Sequence, residues 1–332
     1  MDKINDLDYL FASARAHAME KSLINEERLQ RMCEADTFDE VAKILTECGW
    51  EDVNLDTPAD VERTLSHEQK RAFQTALGIA PDKDLVTIFM LRYDYHNLKT
   101  IIKGEALGTP YEDFLMDCGR MSVDSLLVMF RENRFVGLNP VMSRSIEEAR
   151  EVLNRTKDSQ YADITLDRGC LDEMSNYAKA SGSKFLRGYV TLLIDSINLR
   201  IAVRLKRVGR PYDFLKQAFI KGGFIDQNRL LVEISPDLLA SIFAGTELKD
   251  AAVVGGAVVR DERNLADLDI ACENTVMRYL QSAKYIGIGE QPLIGFVAAK
   301  ETEISMVRII ISGKTAGMSG EKLMKKLRMT YV

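Results

Sequence analysis

The chain has 332 residues, 46% of them apolar, and a formal net charge of −6. That length predicts two or three domains with real cores, and the acidic balance argues against nucleic acid as the main partner, since phosphate binding needs a basic face. Five cysteines (Cys33, Cys48, Cys118, Cys170, Cys272) lie far apart with no Cys-x-x-Cys spacing, which points to a reducing compartment without a zinc site.

An opening helix is expected over about 4–24, with Leu7, Leu10, Phe11, Ala14, Ala18 and Leu23 on one side. No signal peptide is expected, because Asp2, Asp6 and Asp8 sit where an apolar core would be. A short helix over 26–35 follows. Thr37-Phe38-Asp39-Glu40 reads as a capping box that starts a helix ending near Gly49. Thr57-Pro58 starts the next, which runs to about Gly78 with Pro at its first position. A long helix over about 82–107 is broken at Gly108-Thr109-Pro110 and followed by a short one over 111–118.

The order then recurs. Short helices are expected over 122–132 and 145–154, a medium one over 166–180, a long one over 184–208, a break at Gly209-Arg210-Pro211, and a short helix over 212–221. The third round predicts helices over 226–234, 236–244, 265–283, 292–312 and 320–329. No segment alternates with period two, so the fold class is all-α. Ala251 to Val259, the longest uncharged apolar run tested, is far short of the ~20 residues of a membrane span.

The long helices carry the repeat. Asp94-Tyr95-His96-Asn97-Leu98-Lys99 returns as Asp195-Ser196-Ile197-Asn198-Leu199-Arg200, each with a second cation four residues on (Lys103, Arg204). The offset is 195 − 94 = 101, and Gly108-x-Pro110-Tyr111 returns 101 later as Gly209-x-Pro211-Tyr212. A weaker third copy begins at Glu303, with Met306 in place of the Asn and Arg308 as the cation. A fixed long period implies one helical unit used three times, with boundaries at 1–119, 120–222 and 223–332. Asp and Asn are poor mid-helix residues. Spaced i, i+3, they share a face. The simplest use of Asp94, Asn97, Asp195, Asn198 and Glu303 is to bond backbone groups of a neighbouring element; the alternative is a metal or acid/base site, for which nothing supplies the further ligands.

Three stretches imitate chemical motifs. Ser312-Gly313-Lys314-Thr315 holds the Gly-Lys-Thr of a phosphate loop, but Arg308 stands where the loop needs Gly, and a helix precedes it. Val254-Gly255-Gly256 with Asp267-Leu268-Asp269 looks like the Gly-Gly loop and carboxylate pair of template-independent nucleotidyltransferases, which hold Mg²⁺. Here the carboxylates sit in a helical pattern rather than on a strand. Gly287-x-Gly289 reads as a turn. The scattered His17, His67 and His96 suggest no site, and the terminal Lys314, Lys322, Lys325, Lys326 and Arg328 read as a solvated helix face interrupted by Glu321.

Taken in order, Tyr9-Leu10-Phe11-Ala12-Ser13-Ala14-Arg15-Ala16-x-x-x-Glu20, the two Asp-x-x-Asn-Leu-(Lys/Arg) repeats, Lys300-Glu301-x-Glu303-Ile304-x-x-Val307-Arg308-Ile309-Ile310-x-x-Gly313-Lys314 and Arg328-x-x-Tyr331-Val332 are distinctive. With them the chain resembles the C-type subunit of the V/A-type rotary ATPases, the counterpart of the d-type subunit in eukaryotic vacuolar enzymes, over essentially its full length. Met306 departs from that pattern. The resemblance implies three similar helical bundles in a pseudo-threefold, funnel-like arrangement. It implies a non-catalytic, cytoplasmic central-stalk subunit, peripheral to the membrane through the rotor ring. Its expected role is to couple the central shaft (D and F type subunits) to the ring for Na⁺ or H⁺ transport, or for ATP synthesis. No cofactor, catalytic residue or metal is implied, and no interface residue carries over. A free-standing helical-repeat adaptor and a nucleotidyltransferase using Asp267 and Asp269 are the other readings.

Overall fold

The computed structural model describes residues 5–209 and 212–332. Every regular element among the described residues is helical. The α-helices are α1 Leu10–Glu20, α2 Glu26–Glu34, α3 Phe38–Glu47, α4 Pro58–Ile79, α5 Asp84–Leu107, α6 Val123–Glu132, α7 Pro140–Thr156, α8 Ser159–Ala180, α9 Lys184–Val208, α10 Tyr212–Ala218, α11 Pro236–Phe243, α12 Lys249–Val259, α13 Leu265–Gln281, α14 Gln291–Thr315 and α15 Gly320–Met324. Short 3₁₀ turns occupy Asp6–Tyr9, Glu112–Phe114, Gln227–Leu230 and Ser282–Tyr285.

The starts follow local chemistry. Side chains of Asn25, Thr37, Thr57, Ser122, Ser183 and Ser235 each accept a backbone N–H from the first turn of the helix they precede. Pro58 and Pro236 sit where the missing N–H costs nothing. At Thr37 the expected box is half formed, because Glu40 turns back to the Asp36 N–H rather than to that of Thr37.

Several expected boundaries are corrected. The opening helix is shorter than 4–24: a 3₁₀ turn precedes α1, which ends at Glu20, and Ile4 lies outside the described residues. α7 and α8 begin earlier than expected, because Asn139-Pro140 and Asp158 cap them. Residues 111–118, 212–221, 226–234 and 320–329 are helical only in part. For three of these the reason is direct. Asn97 takes both the N–H and the C=O of Met116, Asn198 takes both from Ile220, and Asn274 takes the Met329 N–H. A backbone group so engaged is lost to a helix. Of the Gly209-x-Pro211 break, Arg210 and Pro211 lie outside the described residues.

The chain divides into two compact units, Met1–Phe89 with Glu273–Val332, and Met90–Cys272. In the first, α14 is buried on nearly every side from Pro292 to Met306 and packs with α1, α2 and α4. Its Ile304, Met306, Val307, Ile310 and Ile311 share a core with Leu29, Met32, Val41, Leu45, Trp50 and Leu65. In the second, α9 is the central rod, packed by α8, α10 and α12.

α12 is an addition to the expected elements, since its glycine pair and β-branched residues have low helix propensity. Packing overrides that preference. A Cβ on Gly255 would lie 3.1 Å from Val203 Cγ2 of α9, and one on Gly256 would lie 3.1 Å from Pro236 Cβ of α11. The glycines let α12 lie close to both neighbours. Gly255→Val therefore overfills the α9 contact and is expected to lower stability by about 1–3 kcal/mol in urea titration. Gly245→Ala, which meets nothing within 4 Å, stays within about 0.5 kcal/mol of the parent in the same measurement.

Candidate functional site: a repeated polar clamp

The five repeat residues are buried in the long helices. Each carboxylate among them holds a backbone N–H in the segment leading to a short helix or turn. Asp94 Oδ1 accepts from Met121 N at 3.1 Å, just before the α6 cap Ser122. Asp195 accepts from Phe224 N at 2.9 Å and Ile225 N at 3.1 Å, just before Asp226, which caps the following turn. Glu303 Oε2 accepts from Ile24 N at 2.6 Å, just before the α2 cap Asn25. Asp94 and Asp195 thus fasten segments 27 to 30 residues further along the chain, and Glu303 returns to Ile24 near its beginning. The motif is cyclic in the sequence.

The amides add a second fastening. Asn97 exchanges two bonds of 2.8 Å with the Met116 backbone, and Asn198 exchanges bonds of 2.9 and 2.8 Å with Ile220. Met306 makes no such pair and lies in the apolar core instead. Close approach of the clamped loop needs glycine: a Cβ on Gly119 would lie 2.2 Å from Asp94 Oδ1, and one on Gly223 2.0 Å from Asp195 Oδ1.

The motif cations follow the same cyclic order. In α5, Lys99 pairs with Asp167 and Lys103 lies 3.0 Å from Asp163, both on α8. In α9, Arg200 and Arg204 reach Asp269 of α13 at 3.8 and 3.5 Å. In α14, Arg308 reaches Glu62 of α4 at 2.7 Å. Asp269 is thus the partner of two arginines, while the side chains of Asp267 and Asn264 each accept the other's backbone N–H at the start of α13. Among the described residues no group of three or more His, Cys, Asp and Glu is placed to hold a metal ion. Gly313 lies inside α14, and Lys314 Nζ donates to the Cys33 and Ala35 carbonyls at the end of α2. Gly289 is tied to Ser13 Oγ through both its N–H and its C=O.

The three clamps differ in charge. Arg120 bridges Asp94 and Glu173 at 2.9 Å each. Burial alone would lower the Arg120 guanidinium, but Glu173 and Asp94 outweigh it and hold it above its ordinary value. Lys300 bridges Glu68 at 2.6 Å and Glu303 at 2.5 Å, over the Trp50 ring. Burial would lower it too, and the Glu303 and Glu68 carboxylates reverse that shift. Trp50 Nε1 donates to Glu303 Oε1 at 3.1 Å. Neither Lys300 nor Glu68 stands out as a partner in the sequence. The one signal there is a charged residue on a helix face of otherwise apolar neighbours. Among the described residues Asp195 has no bridging cation, and burial, offset by the two backbone bonds, pushes it up to about 6.

These polar groups hold backbone amides in place within an all-α chain. A profile of the ATP synthase (C/AC39) subunit family matches residues 12–326, and the chain belongs to that family. It is similar to the C subunit of the V-type sodium ATPase of Enterococcus hirae, at 26% identity over 314 residues covering 94% of this chain and 95% of the relative. It is also similar to the C subunit of a V-type ATP synthase of Thermus thermophilus, at 26% over 320 residues covering 93% and 94%. The C subunit of the A-type ATP synthase of Thermococcus kodakarensis is 21% identical over 320 residues, covering 91% and 86%.

Because the folded-state value of Asp195 lies above its ordinary 3.8, the native state binds this proton more tightly. Its stabilising contribution is full below about pH 4 and is lost as pH rises through about 6. The loss is on the order of 3 kcal/mol. The urea stability of the parent minus that of Asp195→Asn should therefore fall from pH 4 to 7; a flat difference contradicts it. Lys300→Met leaves Glu68 and Glu303 buried together and is expected to lose about 3–5 kcal/mol in urea unfolding. Adding Glu303→Gln should restore part of that loss.

Proposed function

We propose that this chain is a non-catalytic rotor subunit of a V/A-type ATPase that carries torque between the central shaft and the membrane rotor ring. The observation that carries the reading is the cyclic stitching of the long helices. A torque coupler has to resist twisting, and buried bonds from each repeat to the next stiffen the fold without any chemistry. That cyclic order also supports three repeats, 1–119, 120–222 and 223–332, about a pseudo-threefold axis. In this arrangement the residues before Asn25 close the third repeat onto the first.

Partner surfaces are supported by apolar side chains left in water. Leu7, Leu10, Phe11 and Tyr285 are more than half exposed, and α1 is tied to the neighbouring turn by the Ser13–Gly289 bonds. Leu107 and Val208, 101 residues apart, are exposed at equivalent ends of α5 and α9. Large apolar groups gathered at a surface mark interfaces. No helix among the described residues is long and apolar enough to cross a membrane. Attachment through the ring, on the cytoplasmic side, is consistent with that. The partners are then the D- and F-type shaft subunits and the ring, and the ion moved is Na⁺ or H⁺. The net charge of −6 favours a polar shaft contact that weakens with salt, since charged rims steer docking.

Isolation of the tagged chain from detergent-solubilised membranes tests the role. Shaft and ring subunits are expected to co-purify, with shaft recovery falling as salt rises. Recovery of the chain alone, or with partners unrelated to a rotary ATPase, contradicts the coupling role. Recovery of the shaft unchanged across salt contradicts only the polar contact.

A further inference from the structure

We infer that the unit formed by Met90–Cys272 carries a binding site for a small phosphate-bearing polyanion, in a recess between α7, α8 and the segment around the end of α10. The inference is independent of the coupling role. Two hollows of about 410 and 240 Å³ share Val141, Arg144, Asp172 and Lys221 and form one recess. Its walls carry five cations, Arg144, Arg168, Lys179, Lys216 and Lys221, against two carboxylates, Glu148 and Asp172. The whole chain, by contrast, is acidic at −6.

The two carboxylates do not balance the cations. Glu148 is engaged by Arg168 at 3.6 Å. Asp172 is half-buried and is the shared counter-charge of Arg168, Lys221, Lys179 and Arg144. Arg144, Lys179, Lys216 and Lys221 make no hydrogen bond or close ion pair with another described residue. Like charges gathered from three separate elements repel one another, and a bound anion relieves that repulsion. Guanidinium forks match phosphate oxygens, and ammonium groups add point charge. The larger hollow lies within the size range of small-ligand sites. Walls on several sides suit a compact ligand better than an extended acidic chain.

The recess also touches the clamp that has no cation. Lys221 and Gly222 line it, and Asp195 holds the N–H groups of Phe224 and Ile225 directly after them. An anion bound to Lys221 therefore steadies the segment that Asp195 fastens.

The test is calorimetric titration of the full chain with inorganic tripolyphosphate and with ATP at low ionic strength. Hydrogen exchange is read at the Phe224 and Ile225 amides. Saturable binding is expected, weakened at least tenfold by the pair Arg144→Ala with Lys221→Ala and unchanged by Lys322→Ala with Lys326→Ala. Exchange at the two amides should slow several-fold on binding. Equal affinities for the two probes mark a site that reads phosphates, and tighter ATP binding marks one that also reads the nucleoside; both support the inference. Circular dichroism and thermal midpoints of the variants check that they fold. Absence of saturable binding, equal binding to the Arg144/Lys221 variant, or displacement of tripolyphosphate by a poly-glutamate peptide that binds more tightly overturns it.

Discussion

Everything in this protein turns on a carboxylate inside a long helix that accepts the main-chain N–H of a distant residue. Burying such a group is unfavourable unless its oxygens are filled. Here they are filled by donors in the segments that lead to a short helix or turn. The bond therefore fixes a loop at its point of departure toward the next short helix. The glycines at 119 and 223 belong to the same device, since a shorter Asp side chain requires the loop to come very near. Glu303, one methylene longer, reaches Ile24 in a segment that has Ser22 where the other copies have glycine.

The electrostatic surroundings of the copies have diverged more than their hydrogen bonds. One is neutralised by an arginine shared with Glu173, one by a lysine shared with Glu68, and one by no cation among the described residues. A buried pair adds little net stability but is strict about geometry, since either partner alone is strongly unfavourable. The bridged copies are therefore intolerant of single changes. Asp195, held only by amide donors, trades that strictness for sensitivity to protons.

How much of this is legible in the sequence follows from what each residue spends its bonding on. The long helices, the repeat offset and the caps at Thr57, Ser122 and Ser183 are local signals, and they are readable as such. Three short helices end sooner than their local pattern predicts, at positions where long-range contacts redirect the chain. Asn97, Asn198 and Asn274 withdraw backbone groups of Met116, Ile220 and Met329, and no local pattern records a partner tens of residues away. α12 escapes a sequence reading for the opposite reason: its glycines look like loop residues, and only the nearness of Val203 and Pro236 explains them. The clamp residues are visible as oddities, whereas their partners, being main-chain atoms, leave no mark in side-chain sequence. The third copy does not keep the 101-residue offset, since 303 − 195 = 108, and is visible only as the weaker Glu303 to Arg308 pattern; that its partner is Ile24 rather than a later residue is not readable from the period.

The return of Glu303 to Ile24 has a consequence for how the protein is made. While the ribosome is still working through the middle of the message, α2 to α4 have emerged, but Glu303, Lys300 and the apolar face of α14 have not. The early segment lacks these partners until α14, in about the last eighth of the chain, has been made. The other unit, whose clamps all lie within Met90–Cys272, can mature first. Domains usually fold in the order of synthesis; here the contacts of the middle unit can be completed before those of the first helices, which need α14.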